Sequence, residues 1–316
     1  MSGRLVGAGF RAMGCDCFAG ATAGAGDGRR AARALAAARA EVAACERALS
    51  RFLTDSDLSR ANRGAGGWVA VGDRMAGATR AALAARRATG GRYDPTVLAP
   101  LVAAGYDRSF ELLEHRAPRD PGGWRPGAEV EVEAGRIRVA DGAAIDLGGI
   151  AKGWSAGRAV AAMREAWPAM PGGLVDLGGD LALQGRTPEN GPWRIAVADP
   201  RAPGRHLATL FLEGGGVATS GRDRRRFGPG RSLHHIIDPA TGRPARKGPL
   251  AVTAVASEPG RAEAFATLIA VGGPDAAVEA VAAHADLSAL VVPDTGPPSL
   301  LGPVRVAWDG AMGLAS

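Results

Sequence analysis

DLGGIAKGW, residues 146–154, is the stretch where short sheet-forming pieces give way to a helix, and the elements on either side of it set the fold class. A strand runs into Gly148-Gly149, and the spacing of Ala156, Val160 and Met163 beyond them predicts a helix over 150–166, closed before Pro168. Glycines at such a junction let backbone approach a ligand. The free N–H groups of a helix start can receive anionic oxygens, and Lys152 adds a positive charge in the first turn. Taken alone, the segment serves equally well as a plain strand-to-helix turn with a solvated lysine. It is not a Walker A loop, which needs GxxxxGK followed by Ser or Thr.

Upstream, residues 29–50 place alanine, leucine and valine at helical spacing among charges, which predicts a long amphipathic helix. A short helix over 57–62, capped by Asp55 or Ser56, and a third over 73–89, stopped at Gly90-Gly91, follow it. From 119 to 145 the pieces EVEVEAG, RIRVADG and AAIDLG suit hairpin strands. Downstream, strands are expected at 173–185, 193–198, 207–212 and 248–256. Helical stretches at 259–271 and 274–284 then precede strands at 287–292 and 303–308. Helices cluster instead of alternating with strands, so the expected class is α+β and not a doubly wound sheet. No fixed-period repeat appears, and one domain over 1–316 is expected.

Of the 316 residues 46% are hydrophobic, enough to close a core and to exclude disorder of the whole chain. The formal charge of +6 rests on 38 basic residues, of which only Lys152 and Lys247 are lysines. They are interleaved with carboxylates, and only RDRRR (222–226) and GRPARK (242–247) are locally dense, so nucleic acid is not an expected partner. Cys15, Cys17 and Cys45 are an odd number for a disulfide framework and lack a second metal-binding pair, which points to a reducing, cytoplasmic setting. Met13-Gly14-Cys15 looks like the end of a lipoprotein signal, but no apolar h-region precedes it. No run of about eighteen apolar residues occurs, so no transmembrane span is expected.

Three further motifs bear on chemistry. In LHHIIDPATGRPA, 233–245, strand alternation sends His234 and His235 to opposite faces, so one of them can line a cleft and move a proton near neutrality. A packed pair beside the Asp238-Pro239 turn is the structural alternative. Glu263 and Thr267, four apart on one helix face, can hold a hard cation, although such a pair is ordinary on helices. In GRYDPTVLAPLVAAGYD, 91–107, Pro95 and Pro100 fix a loop after Tyr93-Asp94. Gly178-Gly179 again permits close ligand approach.

In this order, AMG (12–14), LSRFLTDSDLSRAN (49–62), YDPTVLAPL (93–101), DLGGIAKGW, GGDLALQG, PWRIAVADP, ATSG (218–221), HHIIDPATGRPA and AEAFATLIAVGG resemble the ApbE family, the FAD:protein FMN transferases, across residues 9–290. The resemblance implies an α+β fold in which FAD lies in a nucleotide cleft between two sheet-rich lobes with flanking helices. Met13, Gly14 and Phe52 would lie near the flavin, and Lys152 with Gly148 and Gly149 would serve the nucleotide. Asp94, Gly178, Gly179, Thr219, Ser220, Gly221 and His235 would complete the cofactor surface. The backbone oxygen of Ala151 and the side chains of Glu263 and Thr267 would hold Mg2+ or Mn2+. His235 would transfer the proton, supported by Asp238. The implied reaction attaches FMN to a hydroxyl in a Ser/Asp-Gly-x-Thr/Ser motif of a partner protein and releases AMP.

Ala76-Gly77-Ala78-Thr79 and Asp141-Gly142-Ala143-Ala144 each lack one residue of that motif, so self-flavinylation is not expected. Glu263 stands where the family usually has Asp, Gly157 where it often has Asp, and Phe52 where it often has Tyr. The extra methylene of Glu263 moves its carboxylate by roughly 1.5 Å, which the site can meet by shifting its helix, by binding the ion through a water, or by preferring a more permissive ion such as Mn2+. The same residues would serve an FAD pyrophosphatase that uses water and releases FMN and AMP, or an FAD-binding protein without chemistry.

Overall fold

A computed structural model describes residues 3–114, 116–223 and 225–309. The chain begins with a hairpin: strands Arg4–Ala12 and Cys15–Ala23 pair antiparallel from Arg4↔Ala23 to Ala12↔Cys15. Met13 and Gly14 join them at φ 51° and 67°, the two positive values that a type I′ turn requires. Gly172–Leu177, Leu181–Gly185, Gly215–Gly221, Ala251–Ala256, Ser288–Val292 and Ser299–Leu301 extend the hairpin in chain order into an eight-stranded, antiparallel main sheet.

Among the described residues there are six α-helices: α1 Gly28–Leu49, α2 Asp57–Arg63, α3 Asp73–Ala88, α4 Leu98–Ala103, α5 Ala151–Ala166 and α6 Pro259–Ala283, of which α1, α5 and α6 cover the main sheet. Ala19, Ala21 and Ala23 of the sheet pack on Ala31, Ala34 and Ala38 of α1 and on Ala156, Val160 and Met163 of α5. Small side chains on both sides let helix and sheet approach closely. Farther along the same sheet, Val252, Ala254 and Ala256 receive Phe265 and Ile269 of α6. On the opposite face Leu174, Leu183, Val217 and Leu290 meet Trp193, Leu207 and Leu210. The last three belong to a three-stranded sheet of Arg305–Trp308, His206–Leu212 and Trp193–Ala198.

A second region joins α2 and α3 to a small sheet of Trp68–Ala70, Arg136–Val139 and Val130–Glu133 through Leu58, Met75, Ala78 and Ile137. Met13 packs against both the α1–α5 core and this second core, so the first turn of the chain lies at their junction. The mixed helices and sheets agree with the α+β expectation.

Several elements differ from expectation. Residues 173–185 are two strands, because Gly178 and Gly179, at φ 70° and 98°, fold the segment back on itself. The N-terminal hairpin and Gly215–Gly221 were not anticipated, while AAIDLG forms no strand. Ser56, not Asp55, caps α2, its hydroxyl accepting the Ser59 N–H at 3.0 Å. α6 is long and apolar enough to cross a membrane by length and composition, yet it supplies the core with Phe265, Leu268, Ile269 and Ala277. It breaks at Gly273, φ 80°, before Pro274, where the two helical stretches were expected to part.

Candidate functional site

The starts of α5 and α6 touch. A Cβ on Gly153 would come within 2.4 Å of the Pro259 carbonyl oxygen, so glycine is what admits the crossing. The crossing brings the Gly153 N–H to 2.8 Å from Oε2 of Glu263 and Lys152 Nζ to 3.9 Å from Oε1. Lys152 also pairs with Asp180, the residue after the 178–179 turn. Both carboxylates are buried, Asp180 at 2% and Glu263 at 4% exposure, so Lys152 is an internal ion-pair partner and not a solvated lysine. Burial pushes the Glu263 carboxyl above the usual carboxylate range, against the opposing pull of Lys152 and the Gly153 N–H.

Gly149 closes the other side of this corner: a Cβ there would lie 3.0 Å from the Tyr93 ring and 3.3 Å from Thr267 Oγ1. With Gly149 against Thr267 and Gly153 against Glu263, Ala151 is set between them at the first position of α5. The Glu263 and Thr267 side chains are therefore both brought against the start of α5, which carries Ala151. Tyr93 Oη is buried beside them without a hydrogen-bond partner among the described residues. Burial raises the phenol pKa well above 10, and the charges of Glu263, Asp146 and Asp94 add to the rise. Among the described residues no three His, Cys, Asp or Glu side chains cluster as metal ligands. One carboxylate with neutral oxygens fits a hard cation that takes further oxygens from a substrate, and does not fit a soft metal.

The two histidines divide as alternation predicts. His234 is buried, with Nε2 2.8 Å from the Ala245 carbonyl and Nδ1 accepting the Ile236 N–H at 3.3 Å, so its role is structural. His235 faces the other way, with Nδ1 buried and without a partner among the described residues. Its ring meets Tyr106 edge-on at 6.3 Å. Burial, with Arg225, His234 and Lys152 nearby, pushes its pKa down to about 3. It is thus neutral at neutral pH, and a bound anion that offsets the charges of Arg225 and Lys152 would raise its basicity. Asp238 is not its support: the carboxylate accepts the Ala240 N–H at 2.9 Å and the Thr241 hydroxyl at 3.3 Å, holding the 238–242 turn.

An aromatic wall stands next to His235. The Arg51 guanidinium lies over the rings of Phe52 at 4.2 Å and Tyr106 at 4.7 Å, donates to the Tyr106 carbonyl at 2.8 Å and pairs with Asp146 at 3.0 Å. Asp146 in turn accepts the Gly148 N–H at 2.8 Å, tying the wall to the glycine turn. Phe52 stays 41% exposed even with the Arg51 guanidinium over its ring. The Met13 N–H donates to Glu46 Oε1 at 2.8 Å, and Gly14 leads into Cys15, which lies against Gly178.

Other expected residues serve the scaffold. Asp94 is buried and accepts from the Thr96 N–H, the Thr96 hydroxyl and the Gly127 N–H, each at 2.8 Å. It organises a loop and does not offer its carboxylate to a cofactor. Thr219 shares a hydroxyl contact of 2.9 Å with Thr253 across the main sheet, and Ser220 and Gly221 continue that strand. The 178–179 glycines shape the turn before Asp180, with the Gly179 N–H on Asp176 at 2.7 Å.

Arg225 was missed. It is half-buried at φ 48°, makes no ion pair among the described residues, and its charge reaches Cys15, Tyr106, His235 and Glu263. Its only sequence signal was the dense run 222–226, whose Arg224 lies outside the described residues. Tyr93, Asp180 and the Arg51–Asp146 pair were also missed, each meaningful only through contacts distant in the chain.

A family model described as the ApbE family matches residues 13–291. An FAD:protein FMN transferase of Salmonella typhimurium is 29% identical over 273 residues, 81% of this chain and 75% of that protein. One of Escherichia coli K12 is 33% identical over 139 residues, covering 43% of this chain and only 39% of the relative. The crystal structure of the ApbE protein of Thermotoga maritima is similar at 27% identity and TM-score 0.82, over 94% of this chain and 96% of that one. The flavinyl transferase ApbE of Pseudomonas stutzeri, at 23% identity and TM-score 0.78 over 98% and 95%, shares the fold.

Proposed function

We propose a transferase activity for this chain, which belongs to the ApbE family: it takes FAD as substrate, attaches FMN to a Ser or Thr hydroxyl of a partner protein and releases AMP. The observation that best supports this is a neutral histidine, His235, whose buried Nδ1 has no partner among the described residues and which shares one field of charge with Lys152 at the crossed helix starts. A proton acceptor beside an anion-receiving corner is what phosphoryl transfer from a pyrophosphate to a hydroxyl needs.

In this reading Lys152 and Arg225 hold the pyrophosphate, since the Ala151, Gly153 and Trp154 N–H groups at the start of α5 already donate to Leu147, Glu263 and Ile150, and Phe52 offers its ring to the flavin. His235 takes the proton of the acceptor hydroxyl as its oxygen attacks the flavin-side phosphorus. The bond to AMP breaks, and the charge that gathers on the phosphoryl oxygens is stabilised by Lys152 and Arg225. The Ala151 carbonyl, Glu263 and Thr267 would hold Mg2+ or Mn2+, with Tyr93 Oη adjoining, and such an ion supplies further neutralisation of phosphate charge. The acceptor is a protein that carries a Ser/Asp-Gly-x-Thr/Ser motif.

Incubating the protein with FAD and Mg2+ or Mn2+, with and without such an acceptor, tests the reading by chromatography of the nucleotides. FAD loss and AMP formation that depend on the acceptor are expected. FMN and AMP formed equally without acceptor would make the chain a hydrolase, and intact FAD throughout would remove both activities.

A further inference from the structure

Cys15 and Cys17 lie at i and i+2 on the strand that leaves the Met13-Gly14 turn, so both side chains point to one face. Their Sγ atoms are 3.8 Å apart, and both reach the Ala12 carbonyl, at 3.3 and 3.6 Å. Cys15 is half-buried and abuts the 178–179 turn that leads to Asp180, the partner of Lys152, and a Cβ on Gly178 would stand 2.9 Å from its Sγ. Cys17 is buried behind it. A hydrogen bond from Cys17 lowers the Cys15 pKa to about 7, against the opposing effect of burial, and the charges of Lys152 and Arg225 assist. The same contact, with burial, keeps Cys17 protonated. The third cysteine, Cys45, is buried, and its thiol is pushed up to about 11.

We propose that Cys15 and Cys17 form a peroxide-reactive dithiol in the wall of the cleft, which closes to a disulfide and thereby weakens FAD binding. The Cys15 thiolate attacks a peroxide oxygen, forming an S–O bond and breaking O–O, and the expelled hydroxide becomes water on taking a proton from solvent. Cys17 sulfur then attacks the Cys15 sulfenic acid: S–S forms, S–O breaks, and the hydroxyl leaves as a second water with the Cys17 proton. Two thiols lose two electrons and the peroxide gains them. Two extended residues span roughly 6.5–6.8 Å between Cα atoms, the upper end of the range of about 4.4–6.8 Å that a disulfide bridges. Closure therefore draws in the start of the strand, moving Cys15 off Gly178 and pulling on the turn that Met13 anchors to Glu46.

The dithiol chemistry stands without the proposed function, and only its effect on FAD rests on it. Reduced full-length protein is treated with equimolar hydrogen peroxide and followed by intact mass and peptide mapping, then assayed for FAD affinity by fluorescence before and after dithiothreitol. Loss of two hydrogens in a Cys15–Cys17 cross-linked peptide is expected, with Cys15 reacting about 100-fold or more faster than Cys45. Cys17→Ala, which keeps an apolar side chain in the core, is expected to stop at a dimedone-trappable sulfenic acid on Cys15. The oxidised wild-type protein is expected to bind FAD about tenfold or more weakly, a change of roughly 1.4 kcal/mol, with full recovery on reduction. Cys15 and Cys17 staying reduced while Cys45 oxidises, or a disulfide that leaves FAD affinity unchanged, would overturn the proposal. Failure of the reduced protein to bind FAD would count against the functional reading, while the mass readout decides the dithiol independently.

Discussion

His235 carries no proton at neutral pH, because burial and the charges of Arg225, His234 and Lys152 hold its pKa down to about 3. His235→Ala is expected to leave FAD affinity within about twofold and to slow transfer by about 10²–10⁴; an unchanged single-turnover rate would remove it from the reaction. The same shift has a consequence for stability. An unfolded histidine binds its proton near pH 6.5, so between there and about 3 the unfolded chain holds the extra proton and stability falls as pH falls. His235→Asn is expected to lose stability less steeply than wild type over that window in urea titrations at stepped pH. Lys152→Ala strips two buried carboxylates of their cation and is expected to cost about 3–5 kcal/mol, read as a lower urea midpoint. At this scale the sequence showed which residue types were present and seldom their partners. Alternation split His234 from His235, but the Ala245 carbonyl and the Ile236 N–H decide which one is structural. Asp238 followed the opposite course: adjacent to the histidines in sequence, its carboxylate bonds Ala240 and Thr241 of its own turn.

The crossing of α5 and α6 positions more of the site than any other pair of elements. Gly153→Ala would place a methyl group against the Pro259 carbonyl and part the helices, and is expected to destabilise by about 1–3 kcal/mol while weakening FAD binding. If the variant keeps both wild-type stability and affinity, the close crossing does not hold the site. Helices with clear apolar spacing were legible, including the break of α6 at Gly273-Pro274. The N-terminal hairpin was not, because in RLVGAGFRA and CDCFAGATA glycine and alanine fill four of nine positions each and leave only Val6, Phe10, Phe18 and Thr22 of the β-branched and aromatic residues that mark strands. Its register comes from the Met13-Gly14 turn and from pairing with Gly172–Leu177, a contact remote in sequence. The strand Gly215–Gly221 is glycine-rich too and gains its place from two neighbours.

In the whole molecule, the main sheet with α1, α5 and α6 and the second region of α2, α3 and the small sheet meet at Met13, and the candidate site gathers near that junction. Its parts come from far apart in the chain: Phe52 and Tyr106 on one wall, Lys152 and Glu263 at the helix crossing, Arg225 and His235 from the loop after the fifth main-sheet strand. That dispersal is why the ordered motifs could indicate a family, while the geometry of the site could be read only from the fold. The most direct test is the intact mass of an acceptor protein bearing a Ser/Asp-Gly-x-Thr motif after incubation with this chain, FAD and Mg2+ or Mn2+. An added FMN moiety on the motif threonine, absent when that threonine is alanine, with AMP released in equal amount, is the expected result. An unmodified acceptor, with FAD either intact or split to free FMN and AMP, would contradict it.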